Sequence, residues 1–313
     1  MSMIVKRNGE FVNLRDYSRR DKVWDTHKAK TDQVSKLFEK YADNPTDQKR
    51  VKRLDSCGGY LRFGMDEHND LHLIEAHFCH QMKACPICQW RRSLMLKAKF
   101  YTNIEKVIAD HPTVRFIFLT LTVKNCEIKE LRKTIQWMNR SFINMTKRKF
   151  FQRDIKGFIR NVEVTRNSDN ETAHPHMHII LAVSPTYFNT GHYIIKDRWA
   201  QFWKESLNVD YTPVCDVRIC TDQNKNKAIK ELLKYPVKEA DIDTTSKWFY
   251  DYVQQTRHLR FISTGGILKD VIKDCKVTDD ELIHTDQEQE DHDQIKILDF
   301  EWKRKVKRYQ RIK

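Results

Sequence analysis

The stretch His174-Pro175-His176-Met177-His178-Ile179-Ile180-Leu181 sets histidines two apart in front of an apolar run. Side chains alternate between faces along an extended strand. His176 and His178 therefore share one face, while Met177, Ile179 and Leu181 turn to the other and into a core. Two imidazoles on adjacent pleats are half of a metal site, and the remaining ligands must come from elsewhere. Ordinary strand histidines give the same pattern, so the company matters: Thr120-Leu121-Thr122 upstream, Glu163 on the preceding strand, and Glu231-Leu232-Leu233-Lys234-Tyr235 downstream. A polar loop, 166–172, turns the strand 158–165 back into the histidine strand. A turn centred between Asp169 and Asn170 puts Glu163 directly opposite His176 and on the same face; a one-residue bulge would reverse this. The expected site is His176, His178 and Glu163 around one catalytic divalent cation, Mg2+ or Mn2+.

The flanking sequence alternates strand and helix. Leu94, Leu96, Phe100, Ile104, Val107 and Ile108 space a helix over 91–109, closed by His111-Pro112, and 115–123 is a buried strand. Leu131, Ile135, Met138, Phe142 and Met145 mark a second long helix. Helix 196–206, strand 214–219, helix 225–235 and helix 246–261 follow. The order predicts an α+β fold, an antiparallel sheet covered by helices.

Ahead of this lies a segment of different character. Cys57, Cys79 and Cys85-Pro86-Ile87-Cys88 frame a hairpin, Tyr60–Phe63 and Leu71–Ile74, and four thiolates at tetrahedral reach suit a structural Zn2+. His72, His77 and His80 are each able to replace one cysteine, and a redox pair or unrelated buried thiols is the plainer reading. Trp90-Arg91-Arg92 follows the knuckle, an aromatic with two cations for phosphates and bases, or simply the start of a surface helix. Metal binding stands in for the core that so short a module lacks.

The 313 residues exceed one average domain, and a net charge of +14 points to an anionic partner, nucleic acid before membrane. Met1 is followed by polar and charged residues, so the eight cysteines belong to a reducing compartment, a bacterial cytoplasm, and the longest apolar runs are strand length. Val34, Leu37, Phe38 and Tyr41 give one amphipathic helix in an N-terminal arm that Asn44-Pro45 ends, followed by a basic lip at Lys49, Arg50, Lys52 and Arg53. The tail carries acids from Asp279 to Asp293 and then a basic end, with Leu298, Trp302, Val306 and Tyr309 at helical spacing. It reads as a helix that touches DNA or as a solvated segment. The expected divisions are 1–53 (arm), 54–92 (zinc-binding module), 93–275 (catalytic domain) and 276–313 (tail).

Glu231 and Tyr235 lie four apart in the helix expected from Lys225, so carboxylate and phenol share a face, and Pro236 ends the helix at the phenol. Packing accounts for many such tyrosines. A phenol beside a cation-polarised phosphodiester is the functional reading, with Lys234 and Lys238 neutralising phosphate.

In order, Phe118-Leu119-Thr120-Leu121-Thr122, His174-Pro175-His176-Met177-His178 and Glu231-x-x-Lys234-Tyr235-x-x-Lys238 resemble the three motifs of the Rep initiators of rolling-circle plasmids, in the HUH endonuclease superfamily. The Cys57–Cys88 cluster, Trp90-Arg91-Arg92 and Thr264-Gly265-Gly266 resemble one branch of it, and the likeness covers most of 55–275. The resemblance implies a five-stranded antiparallel sheet flanked by helices. It implies that Tyr235 nicks one strand of plasmid origin DNA, single-stranded at the nick, stays linked to the 5′ phosphate and frees a 3′ hydroxyl for synthesis. Glu231 would activate water at termination, and a host helicase would be the partner; no membrane is involved. Two rivals stay open. His174-x-His176-x-His178 also resembles the histidine-triad nucleotide hydrolases and transferases, with His176 as nucleophile, and a non-catalytic zinc-containing DNA-binding protein would keep the cysteines and the basic surface alone.

Overall fold

The computed structural model describes residues 6–7, 10–233, 242–272, 277–285 and 296–312. The chain divides into two compact units, 1–95 with 276–313, and 96–275. The elements of the first part of the chain are β1 (Lys6–Arg7), β2 (Glu10–Phe11), α1 (Leu14–Tyr17), α2 (Lys22–Lys40), α3 (Pro45–Ser56), β3 (Tyr60–Met65), β4 (Leu71–Ala76) and α4 (Pro86–Asp110). The larger unit adds β5 (Arg115–Thr122), α5 (Leu131–Thr146), α6 (Lys149–Asp154), β6 (Ile155–Asn167), β7 (Thr172–Val183), α7 (Lys196–Leu207), β8 (Cys215–Ile219), α8 (Lys225–Leu232), α9 (Trp248–Thr256) and β9 (Ile262–Gly266). The chain closes with α10 (Asp279–Ile283), β10 (Lys296–Lys303) and β11 (Arg308–Ile312).

In the larger unit, five strands pair antiparallel in the order β8-β5-β7-β6-β9, with the histidine strand β7 at the centre. Met177, Ile179 and Leu181 are fully buried, alongside Leu119 and Leu121 of β5 and Val162 and Val164 of β6. The helix α5 covers this face, where Phe142 meets Phe158 edge-on at 5.1 Å and Asn139 accepts from the buried Arg160 at 2.7 Å. Burying each large aliphatic side chain contributes roughly 1.5–3 kcal/mol. A one-residue slip of β7 would carry all three off this apolar face and put the histidines on it, so the apolar set fixes the register that serves the other face. Thr264-Gly265-Gly266 also has a structural reason. Gly266 has φ 60° and a Cβ there would stand 2.0 Å from the Lys156 carbonyl oxygen, so only glycine lets β9 close against β6.

In the smaller unit the strands run β11-β10-β3-β4, also antiparallel. Two expectations are corrected here. The amphipathic helix expected in the arm is present as α2, but its Trp24, Val34, Leu37 and Phe38 are buried within this unit, so it is no arm, and the basic lip is the helix α3. Asn44-Pro45 ends one helix and starts the next: the Asn44 side chain accepts from the Asp47 amide at 3.0 Å, with Pro45 in the first turn, where its missing N–H costs nothing. The tail is a hairpin, β10–β11, in place of a helix. Leu298, Phe300 and Trp302 are buried in alternation with Asp299, Glu301 and Lys303, and Val306, one of the four helical markers, is exposed in the turn. Arm, cysteine module and tail therefore share one unit.

Candidate active site and thiolate metal centre

Hairpin β6–β7 pairs Glu163 with His176 and Asn161 with His178, the register expected from a turn centred between Asp169 and Asn170. On the other side Thr122 pairs with His176 and Thr120 with His178. One oxygen, Glu163 Oε2, lies 3.1 Å from His176 Nε2 and 2.8 Å from His178 Nε2. The carboxylate is 1 % exposed and His178 is buried, while His176 reaches the surface of the site. Each imidazole is oriented through its other nitrogen: His176 Nδ1 is 3.3 Å from the His174 carbonyl oxygen, and His178 Nδ1 is 3.3 Å from Thr120 Oγ1. Phe118 stacks on His178 at 5.5 Å. With a cation between the three side chains, the His174 carbonyl and Thr120 Oγ1 can take the Nδ1 protons and leave both Nε2 lone pairs for the metal. The three donors lie within 4.8 Å of one another, and two neutral imidazoles with one carboxylate fit a divalent cation.

The helix bearing Glu231 lies over the same sheet face. Expected to reach Tyr235, α8 ends at Leu232 with Leu233 as its cap. In a continuing helix the Leu232 carbonyl would accept from residue 236, a proline with no N–H. Asn161 supplies the missing donor, its Nδ2 lying 2.7 Å from the Leu232 oxygen. Asn161, 2 % exposed and two residues before Glu163 on the same face, thus ties the end of α8 to the ligand strand. Sequence reading missed it. Its place in the Asn161-Val162-Glu163 alternation was the available signal. Half-buried Glu231 lies 3.7 Å from Arg218 Nη2, and Arg218 in turn donates to Asp216 at 2.7 Å. Those acidic partners, Asp216 foremost, raise the Arg218 pKa, so its charge is secure. Glu231 is not in the His–Glu donor group. Tyr235, Lys234 and Lys238 lie outside the described residues. Tyr252 is fully buried, and burial together with the Glu163 charge pushes its phenol well up, which unsuits it as a nucleophile.

A second donor set lies in the smaller unit. Cys57 follows α3, Cys79 follows β4, and Cys85 and Cys88 sit at the start of α4; all four are buried. Neighbouring sulfurs are 3.5–3.6 Å apart, between Cys57 and Cys85, Cys57 and Cys88, and Cys79 and Cys88. That is too long for a disulfide and close to the ~3.8 Å edge of a tetrahedron with Zn–S bonds near 2.3 Å. Burial pushes the Cys79 and Cys88 thiols up, a penalty that a bound dication would reverse. Of the three alternative histidines, His72 lies with Asp66 at 3.0 Å, His80 with Asp279 at 2.6 Å, and His77 is exposed.

Of the expected DNA contacts behind the knuckle, Arg91 needs correction. Arg91 is 6 % exposed and donates to the carbonyls of Leu282 (2.7 Å) and Ile283 (2.6 Å), so it anchors α10 instead of facing a phosphate. Trp90 stacks on His27 at 4.9 Å and meets Trp24 edge-on at 4.8 Å. Arg92 is half-buried. The helix α4 begins at Pro86 and turns Arg91 inward.

Fold and sites define an α+β protein with two separate metal-donor sets, one all-thiolate and one imidazole–carboxylate. A family model described as "Replication protein" matches residues 70–310, and the chain belongs to that family, the initiators of plasmid rolling-circle replication. It is 33% identical over 283 residues to "Protein rep" of Streptococcus pneumoniae serotype 2 (strain D39 / NCTC 7466), covering 87% of this chain and 86% of the relative. It is 32% identical over 300 residues to "Protein rep" of Bacillus amyloliquefaciens, covering 87% and 88%. A "Replication protein" of Staphylococcus aureus is 38% identical over 219 residues, 64% of this chain and 93% of the relative. No solved structure matches. Family membership sets aside the histidine-triad hydrolase reading. Among the described residues no helix is long and apolar enough to cross a membrane.

Proposed function

We propose that this initiator is a metal-dependent DNA endonuclease and strand transferase that nicks one strand at a plasmid origin through Tyr235. The observation that carries the reading is the convergence of His176 Nε2 and His178 Nε2 on Glu163 Oε2, on a sheet face to which Asn161 also ties the helix preceding Tyr235. His176, His178 and Glu163 would hold a divalent cation, Mg2+ or Mn2+, whose chemistry when bound would be polarisation of the scissile phosphodiester and neutralisation of its developing charge. The Tyr235 oxygen attacks phosphorus, a 5′-phosphotyrosine bond forms, and the bond to the 3′ oxygen breaks. The phenol loses one proton and the 3′ oxygen gains one, leaving a hydroxyl that primes synthesis. Lys234 and Lys238 contribute positive charge beside the phosphate, and a host helicase unwinds the duplex. Glu231 acts later, drawing a proton from the water that releases the linkage. A base in such a step contributes about 10²–10⁴-fold.

Incubation with Mn2+ and a pool of random single-stranded oligonucleotides tests this. The parent protein forms a covalent adduct, Tyr235→Phe forms none, and Glu231→Ala forms it and accumulates it. An equal adduct from Tyr235→Phe would assign the nucleophile to another residue. No adduct from the parent would leave a non-catalytic zinc-containing DNA-binding protein.

The Asn161 tie makes a separate prediction. Asn161→Ala leaves the Leu232 carbonyl without its donor at 2.7 Å and lets the end of α8 shift. Misplacement by about 1 Å costs on the order of 10²-fold in rate. Adduct formation should slow by about that factor while the Mn2+ concentration for half-maximal activity stays near the parent value. A shift in the Mn2+ midpoint with an unchanged saturated rate would place Asn161 with the metal instead of with the helix.

A further inference from the structure

In the smaller unit, the β10–β11 ribbon runs past the edge of its sheet. Pairing of β10 with β3 stops at Glu301 and Tyr60, the Trp302 amide still reaches the Gly59 carbonyl, and Lys303–Arg308 pairs only within the ribbon. The turn beyond them reads Arg304-Lys305-Val306-Lys307, and all four residues are exposed. With Lys303 and Arg308 the tip carries five cations in six positions.

The stem is held hard against the thiolate centre. Gly58 and Gly59 directly follow Cys57, and both carbonyls face the ribbon: Gly59 accepts from the Trp302 amide at 2.9 Å, and Gly58 from the Tyr309 hydroxyl at 2.5 Å. The Trp302 indole donates to Asp32 at 2.8 Å and the Tyr309 amide to Asp25 at 3.0 Å. Charges divide the same way. Lys303 pairs with Glu301 at 2.7 Å, and Arg304 pairs with Asp32 and Asp55. Among the described residues Lys305 and Lys307 make no ion pair. Lys307 also takes left-handed backbone, φ 52°, where glycine or asparagine would be unstrained.

A solvated turn needs neither a clamped stem nor a lysine in that conformation. A rigid two-stranded ribbon with a cationic tip suits another object, the major groove, which at about 12 Å admits such a ribbon between two rows of phosphates. We propose that the tip of the β10–β11 hairpin is a contact surface for double-stranded DNA, with Lys305 and Lys307 on phosphates and Val306 at base edges. The nicking reading concerns other residues, and this surface uses none of the histidine-site residues.

The test is equilibrium binding of full-length protein to a short random-sequence duplex, followed by anisotropy across about 50–200 mM salt. Each phosphate contact adds about 0.9 to the slope of log affinity against log salt. Lys305→Gln/Lys307→Asn should flatten that slope by about 1.8 and weaken binding about tenfold or more at the low-salt end. Adduct yield on single-stranded oligonucleotides should stay at the parent level, so failure here and failure of the nicking reading are told apart. Lys36→Gln/Lys40→Gln, which removes the same charge from exposed positions on α2, should leave the slope within half a unit of the parent. Parent-like duplex binding by the tip variant would overturn the proposal. So would an equal loss from the α2 variant, or a loss confined to single-stranded oligonucleotides.

Discussion

Glu163→Ala is expected to reduce covalent adduct formation by about 10³-fold or more, because it removes the one anionic donor of the imidazole–carboxylate set. Several kcal/mol of charge stabilisation is typical of a catalytic cation, and each 1.36 kcal/mol is a factor of ten in rate. The carboxylate is 1 % exposed and a single oxygen serves both histidines, so neither solvent nor another described side chain of the donor group can replace it. Glu163→Gln separates charge from shape. It keeps an acceptor in reach of the imidazoles and should melt close to the parent, yet its Mn2+-dependent adduct should be nearly as weak as that of the alanine variant. Adduct formation by Glu163→Ala at the parent rate and the parent Mn2+ concentration would show that this donor group holds no catalytic metal.

Loss of the thiolate centre should have a larger structural effect. Zn2+ binding to four-ligand sites is associated with about 10–16 kcal/mol of apparent free energy, as much as the whole stability of an ordinary domain, about 5–15 kcal/mol. Cys85→Ala should therefore unfold the smaller unit, whose ribbon stem hangs on the residues after Cys57. Elemental analysis should find one zinc per chain in the parent and none in Cys85→Ala, with loss of the near-ultraviolet signal of Trp24, Trp90 and Trp302. Cys126→Ser, outside the cluster, should keep both. Absence of tightly bound zinc from protein purified under reducing conditions without chelators would sink the assignment.

Much of the site was legible because its logic is local. Alternation along 174–181 put His176 and His178 on one face, and the loop length between Glu163 and His176 determined which residues oppose each other. The cysteine spacing announced its donor set in the same way, although only packing decided that His72 and His80 are spent on Asp66 and Asp279. Both readings rest on strand period and ligand chemistry, which neighbouring residues carry by themselves.

Other outcomes depended on partners distant in sequence. Residues 298–309 satisfy a helical spacing and a strand alternation at once, and the open edge of β3, over 200 residues earlier, selected the strand. Arg91 is a surface cation by composition and a buried brace only because the carbonyls of Leu282 and Ile283 arrive to meet it. The sequence by itself determined that a carboxylate and two imidazoles would meet and that four thiols would gather. Only the tertiary structure decided that Asn161 takes the Leu232 carbonyl at the end of α8, because a lone acceptor names the need for a donor without naming which strand supplies it.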